Sequence, residues 1–312
     1  MHYRAYGITL FSTIPFPELT PIPALRATLT FRLGSGRIDS RGWVERTPRL
    51  RSEGEPWLVV ARQGRAYCLR FGESADLVIM QDRRTIVGYR RGRTTLGTIR
   101  HLFLDSALPM LLSHRGRTVL HGSAVLCGRG AVALLGPGGA GKSTLAARFG
   151  SDGCPVIADD AVVLRRRGHQ VLAIPAYAGL RLWRDALTVL AGAPGRLKVS
   201  EAYRKYRIRP GNPGLAFHDR PAPLRRVYVL DWPPNRRSKA IRIETLSPRE
   251  GIIELIKYSY LMDLNDRRFL VSHLDRLMRA PIDLRRLSYP RDLSALPNVQ
   301  AAILHDLQSS DS

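Results

Sequence analysis

A glycine-rich segment that lies between an apolar run and a helical pattern constrains this chain more than any other feature. Residues 136–143 read GPGGAGKS, which matches the phosphate-binding loop pattern GxxxxGK[ST]. The apolar run 131–135 predicts a strand that enters this segment, and residues 144–149 predict a helix that leaves it. Because strand, glycines and helix follow one another in this order, the segment predicts a loop that holds a nucleoside triphosphate rather than an ordinary turn.

Each position of the loop has an expected role in that chemistry. Glycine lets backbone N–H groups turn towards an anion, and the N-terminus of the following helix adds partial positive charge. We expect the Lys142 ammonium to reach the outer phosphates of ATP and the Ser143 hydroxyl to hold Mg²⁺. The residues expected to bind the nucleotide are Gly136, Gly138, Gly139, Ala140, Gly141, Lys142, Ser143 and Thr144.

Two adjacent carboxylates follow the loop and its helix. The buried-strand pattern at 155–158 ends in Asp159 and Asp160. Because neighbouring strand ends meet at one edge of a sheet, we expect this pair to face the phosphate-binding loop. One carboxylate can bind a metal ion while the other takes a proton from an attacking hydroxyl group. The pair alone is compatible with a kinase and also with an ATPase.

Three further polar residues are candidates for the same site. His121 lies in the predicted strand 118–127, where a histidine is most often a structural residue, but its place beside the loop also allows contact with the phosphates or the acidic pair. Arg181 and Lys205 are candidates for binding the substrate, because a cation stabilises the charge that develops during phosphoryl transfer.

The composition indicates a globular protein. The chain has 312 residues, of which 44% are hydrophobic, and it contains no apolar run near the ~18–20 residues that cross a bilayer. Its first residues lack the pattern of a secretory signal, so we expect a cytoplasmic protein without membrane contact. Cys68, Cys127 and Cys154 form no CxxC or Cys/His cluster, which argues against a zinc site or a disulfide framework.

The net charge of +23 is unusual and comes mainly from arginine. Such a charge raises the question of nucleic-acid binding. The arginines are scattered along the whole chain, however, and no recognition-helix pattern or basic tail accompanies them. The sequence therefore argues against a nucleic-acid partner and is compatible with an acidic or phosphorylated one.

Residue spacing divides the chain into three regions. Residues 1–95 predict a small β-rich module, 96–116 a connector helix that Pro109 should kink or break, and 117–308 a larger α/β domain. The first region has β-like segments at 27–32, 57–61, 67–71 and 85–89. The third has predicted strands at 118–127, 130–135, 155–158, 161–165, 170–174, 225–231 and 240–245, and predicted helices at 142–150, 184–191, 248–257, 266–279 and 298–307. The Gly- and Pro-rich stretch 192–223 predicts a long loop beside the site.

The motifs between residues 118 and 165 together resemble those of HPr kinase/phosphorylase, the bacterial enzyme that phosphorylates a protein serine. The matching features are a His-Gly pair in a strand, a GKS loop and an Asp-Asp pair at the next strand end, here His121-Gly122, residues 136–143 and Asp159-Asp160. Residues 180–183 (LRLW), residues 287–293 (LSYPRDL) and Pro17-Glu18-Leu19 are similar to segments of shorter HPr-kinase-like proteins, among them the lasso-peptide precursor kinases.

This resemblance implies an α/β fold with a P-loop kinase core of the HPr kinase/phosphoenolpyruvate carboxykinase type and a small β-rich N-terminal module. It implies an ATP- and Mg²⁺-dependent serine kinase that acts on a peptide or protein, in the first place a ribosomal precursor peptide of the lasso type. In that family pattern Asp159 is the general base, Asp160 serves the metal, and His121 lies near the phosphates; the reverse assignment of the two aspartates stays open.

One departure from the family pattern bears on the substrate. The bifunctional HPr enzyme has a Glu-x-Arg-Gly-x-Gly segment after its acidic pair, whereas residues 178–182 (AGLRL) occupy the comparable region here. We therefore expect neither phosphorylase activity nor HPr itself as the acceptor. Two other functions remain compatible with the residues: a kinase for a small-molecule hydroxyl group, and a nucleotide-binding regulator or ATPase. The sequence is also compatible with a homo-oligomer.

Overall fold

A computed structural model gives the structure of the chain and describes most of its residues. The described residues are 1–39, 41–46, 57–183, 186, 197–200, 203–208, 215–232, 239–290 and 292–309, and the side chains of 197–205 and 207 lie outside that description. The chain forms two compact units. Unit 1 comprises Met1–Arg117, Val199–Ala202 and Tyr260–Leu274, and unit 2 comprises Thr118–Lys198, Tyr203–Ser259 and Asp275–Ser312.

Unit 1 contains an eight-stranded sheet that is mostly antiparallel. Its strands are β1 His2–Ala5, β2 Ile8–Ser12, β3 Leu29–Leu33, β4 Val44–Glu45, β5 Val59–Gln63, β6 Ala66–Phe71, β7 Ala75–Ile79 and β8 Thr85–Arg90. The strand order is β1-β2-β3-β8-β7-β6-β5-β4, in which β2–β3 and β3–β8 are the parallel pairs. The predicted β-rich N-terminal region is therefore confirmed, and four of these strands overlap the predicted β-like segments.

A helical segment follows this sheet and belongs to unit 1. Helix α1 Leu96–Leu102 begins after Thr95, whose side chain accepts a hydrogen bond from the backbone N–H of Thr98 at 3.2 Å. A π-helical turn, Phe103–Ala107, leads into helix α2 Leu108–His114. Pro109 is the second residue of α2, so the helical segment changes from the π-helical turn to α-helix directly beside the proline. Phe103 packs on Phe31 of β3, with ring centroids 4.5 Å apart.

Residues far along the chain complete unit 1. The hydroxyl of Tyr67 donates a hydrogen bond to Asp263 Oδ2 at 3.0 Å, and Asp263 is fully buried. The hydroxyl of Tyr260 donates to the carbonyl of Asp105 at 3.2 Å. The compact units do not coincide with the three predicted regions. The predicted connector 96–116 lies inside unit 1, and Tyr260–Leu274, which falls within the predicted domain 117–308, also belongs to unit 1.

His114 gives unit 1 an expected dependence on pH. The ring is buried between Tyr67 and Phe269, with centroid distances of 5.1 and 4.8 Å, and neither ring nitrogen has a hydrogen-bond partner among the described residues. Burial, helped by the charge of Arg83, lowers the pKa of His114 to about 4. The unfolded chain binds this proton near the ordinary pKa of ~6.5 and the folded chain does not, so stability should fall as the pH drops from ~6.5 to ~4.

A His114→Phe variant should lose this part of the pH dependence, because phenylalanine keeps a ring in the same place and cannot be protonated. We expect the wild type to lose up to about 3 kcal/mol more stability than the variant between neutral pH and pH ~4. Thermal melts of both proteins across that interval measure the difference. Parallel pH profiles of the two melting temperatures would contradict this expectation, because they would show that the folded chain binds the His114 proton as readily as the unfolded chain does.

After residue 117 the described part of the chain contains eleven strands, most of them in unit 2. They are β9 Thr118–Cys127, β10 Gly130–Leu135, β11 Val156–Ala158, β12 Ala161–Arg167, β13 Gln170–Ile174, β14 Leu180–Trp183, β15 Leu197–Ser200, β16 Tyr203–Ile208, β17 Ala222–Asp231, β18 Arg242–Thr245 and β19 Leu284–Ser288. The main sheet has the order β10-β9-β12-β13-β17-β19-β18, β11 adds to β9, and β17 also pairs in parallel with β10. Strand β14 pairs with β16 outside that sheet.

The described residues of this part of the chain also form four α-helices: α3 Lys142–Ser151, α4 Pro248–Lys257, α5 Arg267–Met278 and α6 Leu296–Gln308. Helix α3 buries Leu145 and Phe149 in one apolar cluster with Val132 of β10 and Val299 and Ile303 of α6. The cluster holds the start of α3 firmly against the end of β10. No helix among the described residues is long and apolar enough to cross a membrane.

Most elements predicted in this region lie where the sequence placed them, and the result is a mixed α/β fold. The predicted helix 184–191 lies outside the described residues except for Ala186. The prediction of a long loop over 192–223 is wrong in its described part, which contains β15, β16 and the start of β17. Strand β16 reads YRKYRI and has charged residues at three of its six positions, so it lacks the apolar alternation by which strands are recognised.

Candidate functional site

The glycine-rich loop joins the end of β10 to the start of α3. Strand β10 is buried at every residue, with β9 on one side and β17 on the other. Gly136, the first loop residue, has φ of +149°, and a Cβ there would lie 2.9 Å from the carbonyl oxygen of Leu230. Gly141, the last, has φ of +92°, and a Cβ there would lie 2.8 Å from the hydroxyl oxygen of Tyr289. Glycine is therefore required at both ends of the loop by backbone conformation and by space.

Lys142 is the first residue of α3 and turns its side chain back to the loop. Its ammonium donates hydrogen bonds to the carbonyl oxygens of Gly136 at 2.8 Å and Pro137 at 3.0 Å. The residue is buried, while Ser143 and Thr144 in the same first turn are half-buried. The cation and the N-terminus of α3 thus lie together at the loop, which is the arrangement that binds phosphate groups.

The acidic pair fills the gap between β11 and β12, both of which pair with β9. Asp159 is only 5% exposed, and both of its carboxylate oxygens have a donor. Oδ1 accepts from the Ser123 hydroxyl at 2.7 Å, and Oδ2 accepts from the backbone N–H of Arg181 at 3.0 Å. These two contacts fix the direction of the Asp159 carboxylate.

Asp160 has a backbone conformation that is uncommon for a residue with a side chain, with φ of +62°. Its carbonyl oxygen accepts from the N–H of Gly122 at 3.3 Å and contacts His121 Nδ1 at 2.9 Å. Its carboxylate forms an ion pair with the guanidinium of Arg181. The neighbouring strand and Arg181 together hold this strained residue in place. Because a carbonyl only accepts, the proton of a neutral His121 ring lies on Nδ1.

Strand β9 brings the loop and the acidic pair to one level of the sheet. Gly122 pairs with Leu135, the last residue before the loop, and its N–H meets the carbonyl of Asp160 on the other side. Neighbouring strands lie ~4.8 Å apart, so the start of the loop and the acidic pair are about 10 Å apart across β9. That distance is within reach of a bound triphosphate and of the side chains on both sides.

Of the other predicted site residues, two contact the acidic pair and the third has a side chain outside the described part of the chain. His121 contacts the acidic pair, which is one of the alternatives that the sequence left open. Arg181 lies in β14 against both aspartates, so it belongs to the site; its contact with a substrate stays a prediction. Lys205 lies in β16 and pairs with Trp183 of β14, but its side chain lies outside the described part of the chain.

Two site residues were missed from the sequence. Ser123 is fully buried on β9 and anchors Asp159. A hydroxyl residue two places after His121 in an otherwise apolar strand was the available signal, since alternate residues share one face. Tyr289 follows β19, and its hydroxyl donates to the carbonyl of Ala140 in the loop at 3.0 Å. No local pattern identifies that contact, because it joins residues 149 positions apart.

The charges of the site bear on how it would hold a triphosphate. Lys142 and Arg181 supply two cations, and Asp159 and Asp160 supply two anions, so these four side chains nearly cancel. A triphosphate therefore needs further positive charge, which a divalent cation would supply. Nearby Tyr258 adds no charge, because burial and the carboxylates of Glu254 and Asp231 raise the pKa of its phenol to about 12.

The available side chains suit a metal ion that is bound partly by phosphate and water, as magnesium is, rather than one bound by protein ligands alone. Among the described residues there is no group of three or more His, Cys, Asp or Glu side chains that could hold a metal ion. Magnesium keeps several waters and binds through one or two carboxylates together with substrate phosphates. Ser143 at the start of α3 and Asp160, which lies across β9 and is paired with Arg181, are a hydroxyl and a carboxylate that would suit such an ion.

Comparison with known proteins gives a distant structural likeness. No protein-family model matches the chain, and no curated protein matches it. Among solved structures it is similar to the Hpr(Ser) kinase/phosphatase from Coxiella burnetii, with 12% identity and a TM-score of 0.32, over 62% of this chain and 98% of that one. A likeness at this level carries no weight for function, so function has to be argued from the residues of the site.

Proposed function

We propose that this chain is an ATP- and Mg²⁺-dependent kinase that transfers the γ-phosphoryl group to a serine hydroxyl of a peptide or protein. One observation carries the proposal: β9 has the glycine-rich loop with Lys142 on one side and the carboxylates of Asp159 and Asp160 on the other. Phosphoryl transfer needs both parts, because the triphosphate must be held and the attacking hydroxyl must lose its proton.

The residues divide the work as follows. The N–H groups of the loop and the Lys142 ammonium hold the phosphates, and Ser143 and Asp160 would hold Mg²⁺, which neutralises charge on the phosphate oxygens. Asp159 accepts the serine proton, and its contacts with Ser123 on Oδ1 and the Arg181 N–H on Oδ2 keep the carboxylate in a fixed direction while it does so. The exchange of roles between the two aspartates is the alternative assignment.

Arg181 and Lys205 are the proposed residues for the acceptor. The Arg181 guanidinium already lies against Asp160, so it is placed to contact an anionic group that enters beside the acidic pair. Lys205 is on β16, directly beside β14. We propose a ribosomally made precursor peptide as the acceptor, on the basis of the LRLW and LSYPRDL segments.

The direct test uses the purified chain, ATP, Mg²⁺ and the serine-containing peptide encoded beside its gene, with a degenerate serine peptide library as a second acceptor. We expect one phosphate added by mass, and none on peptides with serine replaced by alanine. Phosphate release with no acceptor modified would indicate an ATPase. Phosphorylation of a metabolite from a small-molecule pool, with all peptides unmodified, would indicate a small-molecule kinase.

A further inference from the structure

The strongest unassigned contact is the one between Tyr289 and the glycine-rich loop. The Tyr289 hydroxyl donates to the carbonyl of Ala140 at 3.0 Å. Both residues are buried, and both belong to the apolar cluster that packs α3 on the sheet. The Ala140 carbonyl therefore points towards the interior of unit 2, away from the solvent-exposed loop residues Gly138 and Gly139.

The direction of that carbonyl determines the direction of the next N–H. No peptide bond among the described residues is cis, and in a trans peptide the C=O and the following N–H point in opposite directions. With the Ala140 carbonyl held towards Tyr289, the N–H of Gly141 points to the opposite side of that peptide. The φ of +92° at Gly141 accommodates this orientation, and the Tyr289 hydroxyl fills the space that a Cβ would need.

We propose that Tyr289 is a positioning residue for the nucleotide: its hydroxyl fixes the peptide between Ala140 and Gly141 so that the Gly141 N–H faces the phosphates. This inference rests on the proposed function, because it concerns how the loop holds ATP. Without the hydroxyl, the same peptide can rotate and turn the Ala140 carbonyl towards the ligand. A carbonyl oxygen repels a phosphate oxygen, whereas an N–H binds it through a charge-assisted hydrogen bond.

Tyr289→Phe tests the inference because it removes the hydroxyl and keeps the ring. We expect the affinity for MgATP and for inorganic tripolyphosphate to fall about 10-fold or more, as is typical for loss of one hydrogen bond to a charged group. In wild-type protein labelled with ¹⁵N, tripolyphosphate should shift the Gly141 amide proton strongly downfield, and in the variant this shift should shrink. A merely structural role for Tyr289 would lower the melting temperature without changing the amide shift.

Tyr228→Phe is the matched control. Tyr228 is also buried in the main sheet. Its hydroxyl donates at 2.6 Å to Oδ2 of Asp306, which is a residue of α6 and not of the glycine-rich loop. We expect that variant to melt at a lower temperature and to bind MgATP like the wild type.

The possible results separate the inference from the function on which it rests. If Tyr289→Phe binds MgATP and tripolyphosphate as tightly as the wild type, the inference is wrong while the proposed kinase stands. If wild-type protein binds neither ligand, the proposed function fails and the inference fails with it. If Tyr289→Phe does not fold, the wild-type amide decides: a Gly141 proton that does not move on adding tripolyphosphate overturns the inference.

Discussion

Replacing Asp159 by asparagine should reduce phosphoryl transfer by about 10²–10⁴-fold and leave the affinity for MgATP nearly unchanged. Asparagine has the same shape as aspartate but cannot take up the proton of the acceptor. Its oxygen can still accept from the Arg181 N–H, and its NH₂ group can donate to the Ser123 hydroxyl, so the surrounding hydrogen bonds survive. Single-turnover transfer and calorimetric titration with MgATP measure the two effects separately.

Asp219→Asn is the control for this result, because Asp219 is an exposed carboxylate of the same unit. We expect the Asp219→Asn protein to transfer phosphate at the wild-type rate. Asp160→Asn should instead raise the Mg²⁺ concentration needed for half-maximal activity. If Asp160→Asn abolishes transfer at saturating Mg²⁺ while Asp159→Asn retains it, the two aspartates have exchanged roles. If both variants transfer like the wild type, neither carboxylate is the base.

Lys142→Ala should have the second large effect, a loss of about 10²–10³-fold in kcat/KM for ATP. The Lys142 ammonium lies at the Gly136 and Pro137 carbonyls, at the start of the loop, and no other lysine among the described residues contacts the loop. Alanine removes a charge-assisted contact that helps hold the nucleotide and also stabilises the transferring group. Arginine should not restore activity, since its planar guanidinium cannot occupy the position of a compact ammonium.

Lys239→Ala is the matched control, since Lys239 is exposed and makes no contact with the loop. It should bind and use ATP like the wild type. The melting temperature of Lys142→Ala without nucleotide shows whether the loop still folds. A folded Lys142→Ala protein with wild-type affinity for MgATP would exclude this loop as the triphosphate site.

The parts of the fold that the sequence predicted well are those encoded by local patterns. Strands β9 and β10, helix α3 and strand β11 follow one another within about forty residues, and each has its own apolar period and boundary signal. The glycine-rich loop and the acidic pair could be placed because they fall at the ends of these elements. The sequence placed them at neighbouring strand ends, whereas in the structure β9 lies between β10 and the strands β11 and β12.

The parts that were missed depend on contacts between distant residues. The bond between Tyr67 and Asp263 joins positions 196 apart, and it explains why a segment near the C-terminus belongs to unit 1. Tyr289 reaches the loop over 149 positions. A local pattern shows that a side chain is apolar or polar, but the choice of its partner depends on the whole topology.

The arginine-rich composition has a partly structural explanation. Arg226 is buried and holds both Asp283 and Asp306, at 2.7 and 2.6 Å; burial lowers its pKa, but the contacts with Tyr228, Asp283 and Asp306 outweigh burial and raise the pKa. Arg181 serves the acidic pair in a similar way. Arginine suits such places because its planar group can bind two acceptors and stays charged when buried. Part of the positive charge is thus used inside the protein.

The most direct measurement is a structure of the wild-type chain with Mg²⁺ and a non-hydrolysable ATP analogue. We expect the β- and γ-phosphates at residues 136–143 with Lys142 Nζ in contact, the metal bound by the Ser143 hydroxyl and Asp160, and the Asp159 carboxylate facing the γ-phosphate from the acceptor side. A nucleotide bound elsewhere on the chain, or an acidic pair turned away from its γ-phosphate, would contradict the claim that the phosphate-binding loop and the base form one active site.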